Sequence, residues 1–202
     1  MPSYKLTYFN VRGRAELARY LFAAAGQDYD DNRIQRDTWP ALKPNTKFGQ
    51  LPLLEVDGKP LAQSYAIARF LARELGLSGK GSWEAALCDE VLELTGDLLK
   101  EIIKYRFETD ETKKQELQKN LSDVVFPRFL GFFEKTLEEN GAYLVGNGLT
   151  VADLAVLAIL DTPLRSMPGL LDNTPKLKAH RGLIAALPKI KEYIGKRPDT
   201  DI

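Results

Sequence analysis

The hydrophobic pattern of this 202-residue chain changes abruptly near residue 80, and this change constrains the fold more than any other feature of the sequence. Upstream of a Gly- and Ser-rich segment, GLSGKGS (76–82), short β-forming runs alternate with helical patterns. Downstream of it only helical patterns follow. We therefore expect an α/β domain over residues 1–79 and an all-helical domain over residues 81–202.

The first half predicts a small mixed sheet. Its runs follow the order β-α-β-β-β-α, with strands at 4–9, 29–35, 51–56 and 59–62 and helices before Gly26 and at 65–76. The first strand-helix-strand unit implies a parallel pair with a right-handed crossover, and the Asp57-Gly58 turn implies an antiparallel hairpin. This order predicts a four-stranded sheet of thioredoxin type, with Ile67, Phe70 and Leu71 of its last helix facing inward.

The second half predicts three long helices and two short ones, at 85–107, 111–140, 149–160, 175–187 and 188–195. Pro127 should kink the second of these, because its ring and missing N–H disrupt the helical hydrogen bonds. The third is the most apolar and should lie in the core. Thr150 and Asp153 have the spacing of a capping box at its start, with Leu149 and Leu154 as a hydrophobic staple.

Composition excludes several classes of function. Lys and Arg together number 28, as do Asp and Glu, so no net charge attracts nucleic acid or an anionic membrane. No apolar run approaches the roughly 20 residues of a membrane span, and the start lacks a signal-peptide pattern. The single cysteine, Cys88, excludes an internal disulfide and is expected to be a small buried hydrophobe. One His and one Cys speak against a metal site, and a reducing, cytoplasmic setting is the simplest interpretation.

Polar residues cluster where the predicted elements meet. Gln63 and Ser64 stand at the start of a helix, whose free N–H groups attract carboxylates, so Ser64 is either a plain cap or an anion ligand. Tyr8 closes the first strand, where its hydroxyl can face a ligand or its ring can simply pack. Arg14 begins the first helix and is either solvated or functional. Trp39 and Lys43 share a face if residues 38–43 form a helical turn, although the ring of Trp39 can also simply pack.

Four carboxylates recur at helical spacing along the first long helix: Asp89, Glu93, Asp97 and Glu101. Like charges at this spacing repel by about a few tenths of a kcal/mol each, and nearby lysines offset part of that cost. A solvated acidic face is the ordinary explanation for such a stripe.

Five segments, in order along the chain, resemble motifs of one family: YKLTYFNVRGRAE, DTWPALKP, FGQLPLLEVDG, QSYAIARFL and LTVADL. They are similar to motifs of the cytosolic glutathione transferases and are closest to the sigma class. That class includes the glutathione-dependent prostaglandin D synthases and the lens S-crystallins of cephalopods. The resemblance spans nearly the whole chain.

The resemblance implies a glutathione site with Tyr8 and Arg14 as catalytic residues. Tyr8 would donate its hydroxyl to the glutathione sulfur, and the charge of Arg14 would lower the pKa of the thiol. A cis Leu51-Pro52 bond would expose the backbone of Leu51 to the cysteinyl unit of the tripeptide. The full implied binding set is Tyr8, Arg14, Trp39, Lys43, Gly49, Gln50, Leu51, Pro52, Gln63, Ser64 and Asp97.

Within this set, Gln63 and Ser64 would hold the γ-glutamyl carboxylate, while Trp39, Lys43 and Gln50 would line the glycyl end. Family analogy also implies a homodimer in which Asp97 reaches the α-amino group of the partner subunit's glutathione. The helical domain would contribute the electrophile pocket and the dimer interface. No metal is implied.

The expected function is conjugation of glutathione to hydrophobic electrophiles. A glutathione-dependent prostaglandin-H2 D-isomerase is one alternative, and a lens crystallin with little activity is another. Gly96 lacks a carboxylate that the prostaglandin synthases have beside Asp97, which argues against their metal effect in this chain. The first alternative is weakened by a second departure, because residues 104–107 (KYRF) stand where those synthases have a Trp that lines the substrate pocket. The completeness of the glutathione set argues against the crystallin.

Overall fold

The computed structural model describes residues 2–200 and forms two compact units, one of residues up to Ser78 together with those from Ala185 onward, and one of Gly79–Ile184. The strands of the first unit are β1 (Tyr4–Phe9), β2 (Asp30–Ile34), β3 (Leu53–Val56) and β4 (Lys59–Ala62). Its helices are α1 (Glu16–Ala25), α2 (Trp39–Leu42), α3 (Ser64–Glu74) and the chain-terminal α9 (Pro188–Lys196).

The sheet has the strand order β2-β1-β3-β4, with β1 parallel to β2 and antiparallel to β3. β3 and β4 form the hairpin predicted from the Asp57-Gly58 turn. The left-handed Gly26, with a φ of 67°, ends α1 as predicted. The thioredoxin-like arrangement expected from the sequence is thereby confirmed.

The core of this unit lies between the sheet and its helices. Leu6 and Leu54 on the central strands are fully buried, as are Ile67 and Leu71 of α3. Phe70, which we expected to face inward with them, is only half-buried. Ile67 and Leu71 lie four residues apart and share the covered face, whereas Phe70 lies at its border.

The second unit is all-helical, with α4 (Gly81–Phe107), α5 (Glu111–Asn120), α6 (Phe126–Asn140), α7 (Val151–Ser166) and α8 (Pro175–Ala186). The single kinked helix predicted over 111–140 is instead two helices joined by one π-helical turn, Leu121–Val125. Pro127 lies in the first turn of α6, directly after this π-helical turn. The break in the helix therefore precedes the proline.

The predicted capping box begins α7. Asp153 accepts hydrogen bonds from the backbone N–H and the hydroxyl of Thr150, at 2.8 and 3.0 Å. α7 is the most buried helix of this unit, in agreement with its apolar sequence. Cys88 of α4 is buried as expected, and burial raises the pKa of its thiol, which suits an inert core residue.

α9 packs on α1, near the other end of the chain. Lys189 donates to the backbone carbonyl of Ala25 at 3.1 Å, and the rings of Tyr20 and Tyr193 meet edge to face at 5.4 Å. The helical pattern of the second half does not reveal this association. The domain boundaries at 79 and 81 stay predictions.

Candidate functional site

The sheet register gathers three chain segments at one edge of the first unit. Leu53 of β3 pairs with Thr7 of β1 on one side and with Ala62 of β4 on the other. Tyr8 follows Thr7, Pro52 precedes Leu53 and Gln63 follows Ala62. Three of the predicted site segments therefore emerge at the same edge of the sheet.

Tyr8 is held at this edge by a contact with its hydroxyl. The backbone N–H of Arg14 donates to Tyr8 Oη at 3.2 Å. The ring of Tyr8 also meets that of Phe9 edge to face, and Phe9 in turn contacts Trp39 in the same way at 5.8 Å. Because the oxygen of Tyr8 accepts from the backbone, its own proton is available for another acceptor.

Gly13 makes this contact possible. Its φ is +42°, and a Cβ built on it would lie 2.8 Å from Tyr8 Oη. Any side chain at this position would therefore collide with the hydroxyl. The close approach of Gly13 to Tyr8 was not predicted from the sequence.

Arg14 lies in the short 3-10 turn Gly13–Ala15, and its side chain is exposed. Its contact with Tyr8 is made by the backbone. The effect of its charge on a thiol stays a prediction.

The Leu51-Pro52 peptide bond is cis, as the resemblance implied. Pro52 is buried directly before β3, while Leu51 is half-buried. Gln63 has an unusual φ of 75°, and its Nε2 donates to Gln50 Oε1 at 3.1 Å. The amides that flank the cis proline and α3 thus touch each other.

Of the two alternatives for Ser64, the plain helix cap is excluded, and the role as an anion ligand stays a prediction. α3 begins at Ser64, so the capping position belongs to Gln63, whose carbonyl accepts from the N–H of Ile67 at 2.9 Å. The side chain of Gln63 accepts no hydrogen bond from the backbone N–H groups of the first turn of α3 described here. The Ser64 hydroxyl lies in the first turn of α3, where backbone N–H groups favour an anion.

Trp39 and Lys43 occupy one helical turn, as their spacing suggested. Trp39 begins α2, and the N–H of Lys43 donates to the carbonyl of Trp39. The loop then folds back, so that a Cβ on Gly49 would lie 3.5 Å from Lys43 Cε. Lys43 is exposed and Trp39 is half-buried. Their role at the glycyl end of glutathione stays a prediction.

Asp97 lies on α4, in the second unit. Its exposed carboxylate pairs with Lys100 at 2.9 Å, one turn along the helix, and Glu101 pairs likewise with Lys104 at 2.7 Å. These pairs offset the repulsion along the acidic stripe. The part of Asp97 in a glutathione site stays a prediction.

Sequence reasoning also missed a buried ionic cluster centred on α1. Glu16 and Arg19 of α1 are fully buried and paired at 3.2 Å. The signal was present in the sequence, because both charges lie among the apolar residues of the core-facing pattern of α1.

Two features are absent from the range 2–200, a metal-binding cluster and a membrane-spanning helix. No group of three or more potential metal-binding side chains occurs among these residues. No helix in that range has the length and apolar character needed to cross a bilayer.

Two family models match the chain. The one described as the N-terminal domain of glutathione S-transferase matches residues 4–73, and the one described as its C-terminal domain matches residues 96–197. Together they cover most of the sequence. The chain belongs to the glutathione S-transferase family. The predicted enzyme type, a glutathione transferase with glutathione as co-substrate, is thereby confirmed.

Individual family members are similar over their full lengths. A probable glutathione S-transferase 7 of Caenorhabditis elegans is 45% identical over 99% of both chains. The hematopoietic prostaglandin D synthase of Gallus gallus is 41% identical over 100% of both.

Solved structures of glutathione transferases agree equally well. A Nu-class enzyme from Haemonchus contortus is 42% identical, with a TM-score of 0.93 over 100% of both chains. A monomeric enzyme from the hookworm Necator americanus is 40% identical, with a TM-score of 0.91 over 99% of this chain and 100% of that one. This chain therefore has the same fold as both of these nematode transferases.

Proposed function

We propose that this glutathione transferase stabilises the glutathione thiolate with Tyr8 and conjugates it to small hydrophobic electrophiles, as in detoxification. One observation carries the proposal: Tyr8 Oη accepts a hydrogen bond from the Arg14 N–H. The phenol is thereby oriented and polarised, and its O–H can donate to a sulfur anion within hydrogen-bond distance. A free thiol has a pKa of about 8.5, so such a donor increases the thiolate fraction at neutral pH.

The remaining residues of the set would bind the tripeptide. Gln63 and Ser64, at the N-terminus of α3, suit the γ-glutamyl carboxylate. The backbone of Leu51, next to the cis peptide, suits the cysteinyl unit. Trp39, Lys43, Gly49 and Gln50 suit the glycyl end, where an exposed ammonium can meet a carboxylate.

We place the enzyme in a sigma-like group and propose a cytoplasmic homodimer. The similarity to a prostaglandin D synthase supports the first point, although a Nu-class enzyme is about equally similar. The second rests on the family resemblance, and the exposed carboxylate of Asp97, which pairs with Lys100 on its own helix, is compatible with it. The alternative is a monomer, as in the hookworm relative, whose structure is described as monomeric.

A prostaglandin-H2 D-isomerase is the second candidate. Identity to the avian prostaglandin D synthase favours it. The end of α4 opposes it, because the exposed side chains of Lys104 and Arg106 make this part of the helix more cationic than an apolar prostaglandin pocket favours.

The deciding experiment is a parallel assay of the purified protein with 1-chloro-2,4-dinitrobenzene and with prostaglandin H2, both in the presence of glutathione. We expect conjugation of the first and little isomerisation of the second. Preferential isomerisation would establish the second candidate. Turnover of neither substrate, despite glutathione binding, would contradict both enzymes and favour a structural role.

A further inference from the structure

The carboxylate of Glu16 joins the last helix of the chain to the first. Its Oε1 accepts from Tyr193 Oη at 3.0 Å and from Arg197 Nη1 at 2.6 Å. Its Oε2 accepts from Arg19 Nη1 at 3.2 Å. Burial, followed by the charge of Glu16, raises the pKa of the Tyr193 phenol, so this phenol stays protonated and remains a donor. Glu16 is thus a buried anion held by donors from both ends of the chain.

Arg19 links Glu16 to the loop that follows β1, residues 10–14. Its side chain is 0% exposed, and Nη1 also donates to the carbonyl of Val11 at 2.7 Å. Its Nε donates to Asp31 of β2 at 3.1 Å. Burial alone would lower the pKa of this guanidinium, but the carboxylates of Asp31 and Glu16 raise it above the ordinary value. The loop therefore rests on a permanently charged donor.

The loop held in this way carries the contact to Tyr8. Val11 is two residues before Gly13 and three before Arg14, whose N–H reaches Tyr8 Oη. A displacement of the Val11 carbonyl would move this N–H as well, because the intervening backbone is short. The backbone of Gly13 lies close to the hydroxyl as well, since a Cβ added to this residue would lie 2.8 Å from Tyr8 Oη.

We propose that Arg197, Glu16 and Arg19 form a positioning network that sets the loop after β1 and so fixes the hydroxyl of Tyr8 for the thiolate. Arg19 Nη1 is shared between Glu16 and the Val11 carbonyl. When Arg197 is removed, Glu16 loses a cation and attracts Arg19 more strongly, which weakens the hold of Arg19 on the loop. The last helix thus influences the reactive sulfur without touching it. This inference rests on the proposed function of Tyr8.

The test is Arg197→Met, with the pKa of bound glutathione read from thiolate absorbance as a function of pH. We expect this pKa to move toward the value of free glutathione and kcat to fall on the order of tenfold, the size expected for a misplaced group, while KM for glutathione changes little. Arg197→Lys, which keeps the charge, should restore most of both. A merely structural role would change stability without moving the thiol titration.

Lys189→Met is the matched control, because Lys189 also ties α9 to α1 but contacts Ala25 rather than Glu16. It should leave the titration unchanged. Tyr193→Phe removes one donor from Glu16 and keeps the ring; it should shift the titration in the same direction, and it decides the matter if Arg197→Met does not fold.

Each result has one meaning. A wild-type titration identical to free glutathione would refute the proposed function of Tyr8 and the network together. A perturbed wild-type titration that Arg197→Met and Tyr193→Phe leave unchanged would refute the network alone. A shift in Lys189→Met equal to that in Arg197→Met would also refute it, since general loosening of α9 would then explain both.

Discussion

At the scale of single residues, the hydroxyl of Tyr8 and the backbone around it set the chemistry. Replacing Tyr8 by Phe removes the donor and keeps the ring contact with Phe9. We expect kcat for chlorodinitrobenzene conjugation to fall about 100-fold, as for other lost transition-state donors, with glutathione affinity nearly unchanged. Steady-state kinetics together with calorimetric binding measure the two effects separately.

Tyr4→Phe is the control for this variant. Tyr4 lies at the opposite end of β1 and packs against Phe22. The Tyr4→Phe variant should therefore retain conjugation activity. Full activity of Tyr8→Phe would remove Tyr8 from the mechanism.

Gly13 provides a second residue-scale prediction. Gly13→Ala would force a methyl group toward Tyr8 Oη, so both conjugation activity and stability should fall. Gly58→Ala has a similar positive φ, +77°, but an added Cβ meets nothing within 4 Å. Both variants should lose roughly 1 kcal/mol of stability from the backbone. Only Gly13→Ala should lose activity, and equal activity in the two would contradict the steric account.

For these residues, the sequence predicted the features that depend on local spacing but not those that depend on contacts between distant segments. The position of Tyr8 at the end of a strand and the spacing of Trp39 and Lys43 follow from local periodicity, and both were predicted. The backbone contact of Arg14 and the burial of Glu16 with Arg19 depend on packing between distant segments. Local sequence patterns do not predict such packing, although the charges of Glu16 and Arg19 within the apolar stripe of α1 did indicate that both are buried.

At the scale of elements, hydrogen bonds at helix ends decide where helices begin. Asp153 is 0% exposed and, besides its two bonds to Thr150, accepts from Leu144 N at 2.9 Å and meets His180 Nε2 at 2.9 Å. Asp153→Ala would leave several buried donors without partners. We expect a loss of at least about 3 kcal/mol in the free energy of unfolding, measured by urea denaturation.

The matched comparison is Asp110, the exposed cap of α5, which accepts from Lys113 N at 3.0 Å. Asp110→Ala should lose about 1 kcal/mol, because water can replace an exposed cap. If the two variants were equally stable, the buried bonds of Asp153 would not determine the stability of α7.

The elements were the most predictable level of this protein. Strands, helices and the hairpin follow from alternation, helical spacing and turn residues. The π-helical turn before Pro127 was not predicted, because it adds one residue to a helical turn without changing the apolar composition. The helix cap lies at Gln63, one residue before the position that one of the two alternatives for Ser64 gave it, and such a difference is usual at helix ends.

At the scale of the whole molecule, Asp97 tests the proposed dimer. Asp97→Ala should raise the Kd for glutathione by roughly tenfold, the loss of one charge-assisted hydrogen bond. Titration calorimetry measures this affinity, and sedimentation should show a dimer in both proteins.

Lys100→Met serves as the control, since it breaks the Asp97–Lys100 pair but keeps the carboxylate. Its glutathione affinity should stay close to that of the wild type. An unchanged affinity in Asp97→Ala would refute the contact across subunits, and a monomer would refute the assembly on which it depends.

The assignment of α9 to the first unit also has a consequence for how the protein is made. A ribosome releases the sheet and α1 long before it reaches Tyr193 and Arg197, which bind Glu16. During that interval the buried carboxylate of Glu16 lacks both of these donors. The amino-terminal lobe can therefore gain these two hydrogen bonds only after residue 197 has left the ribosome.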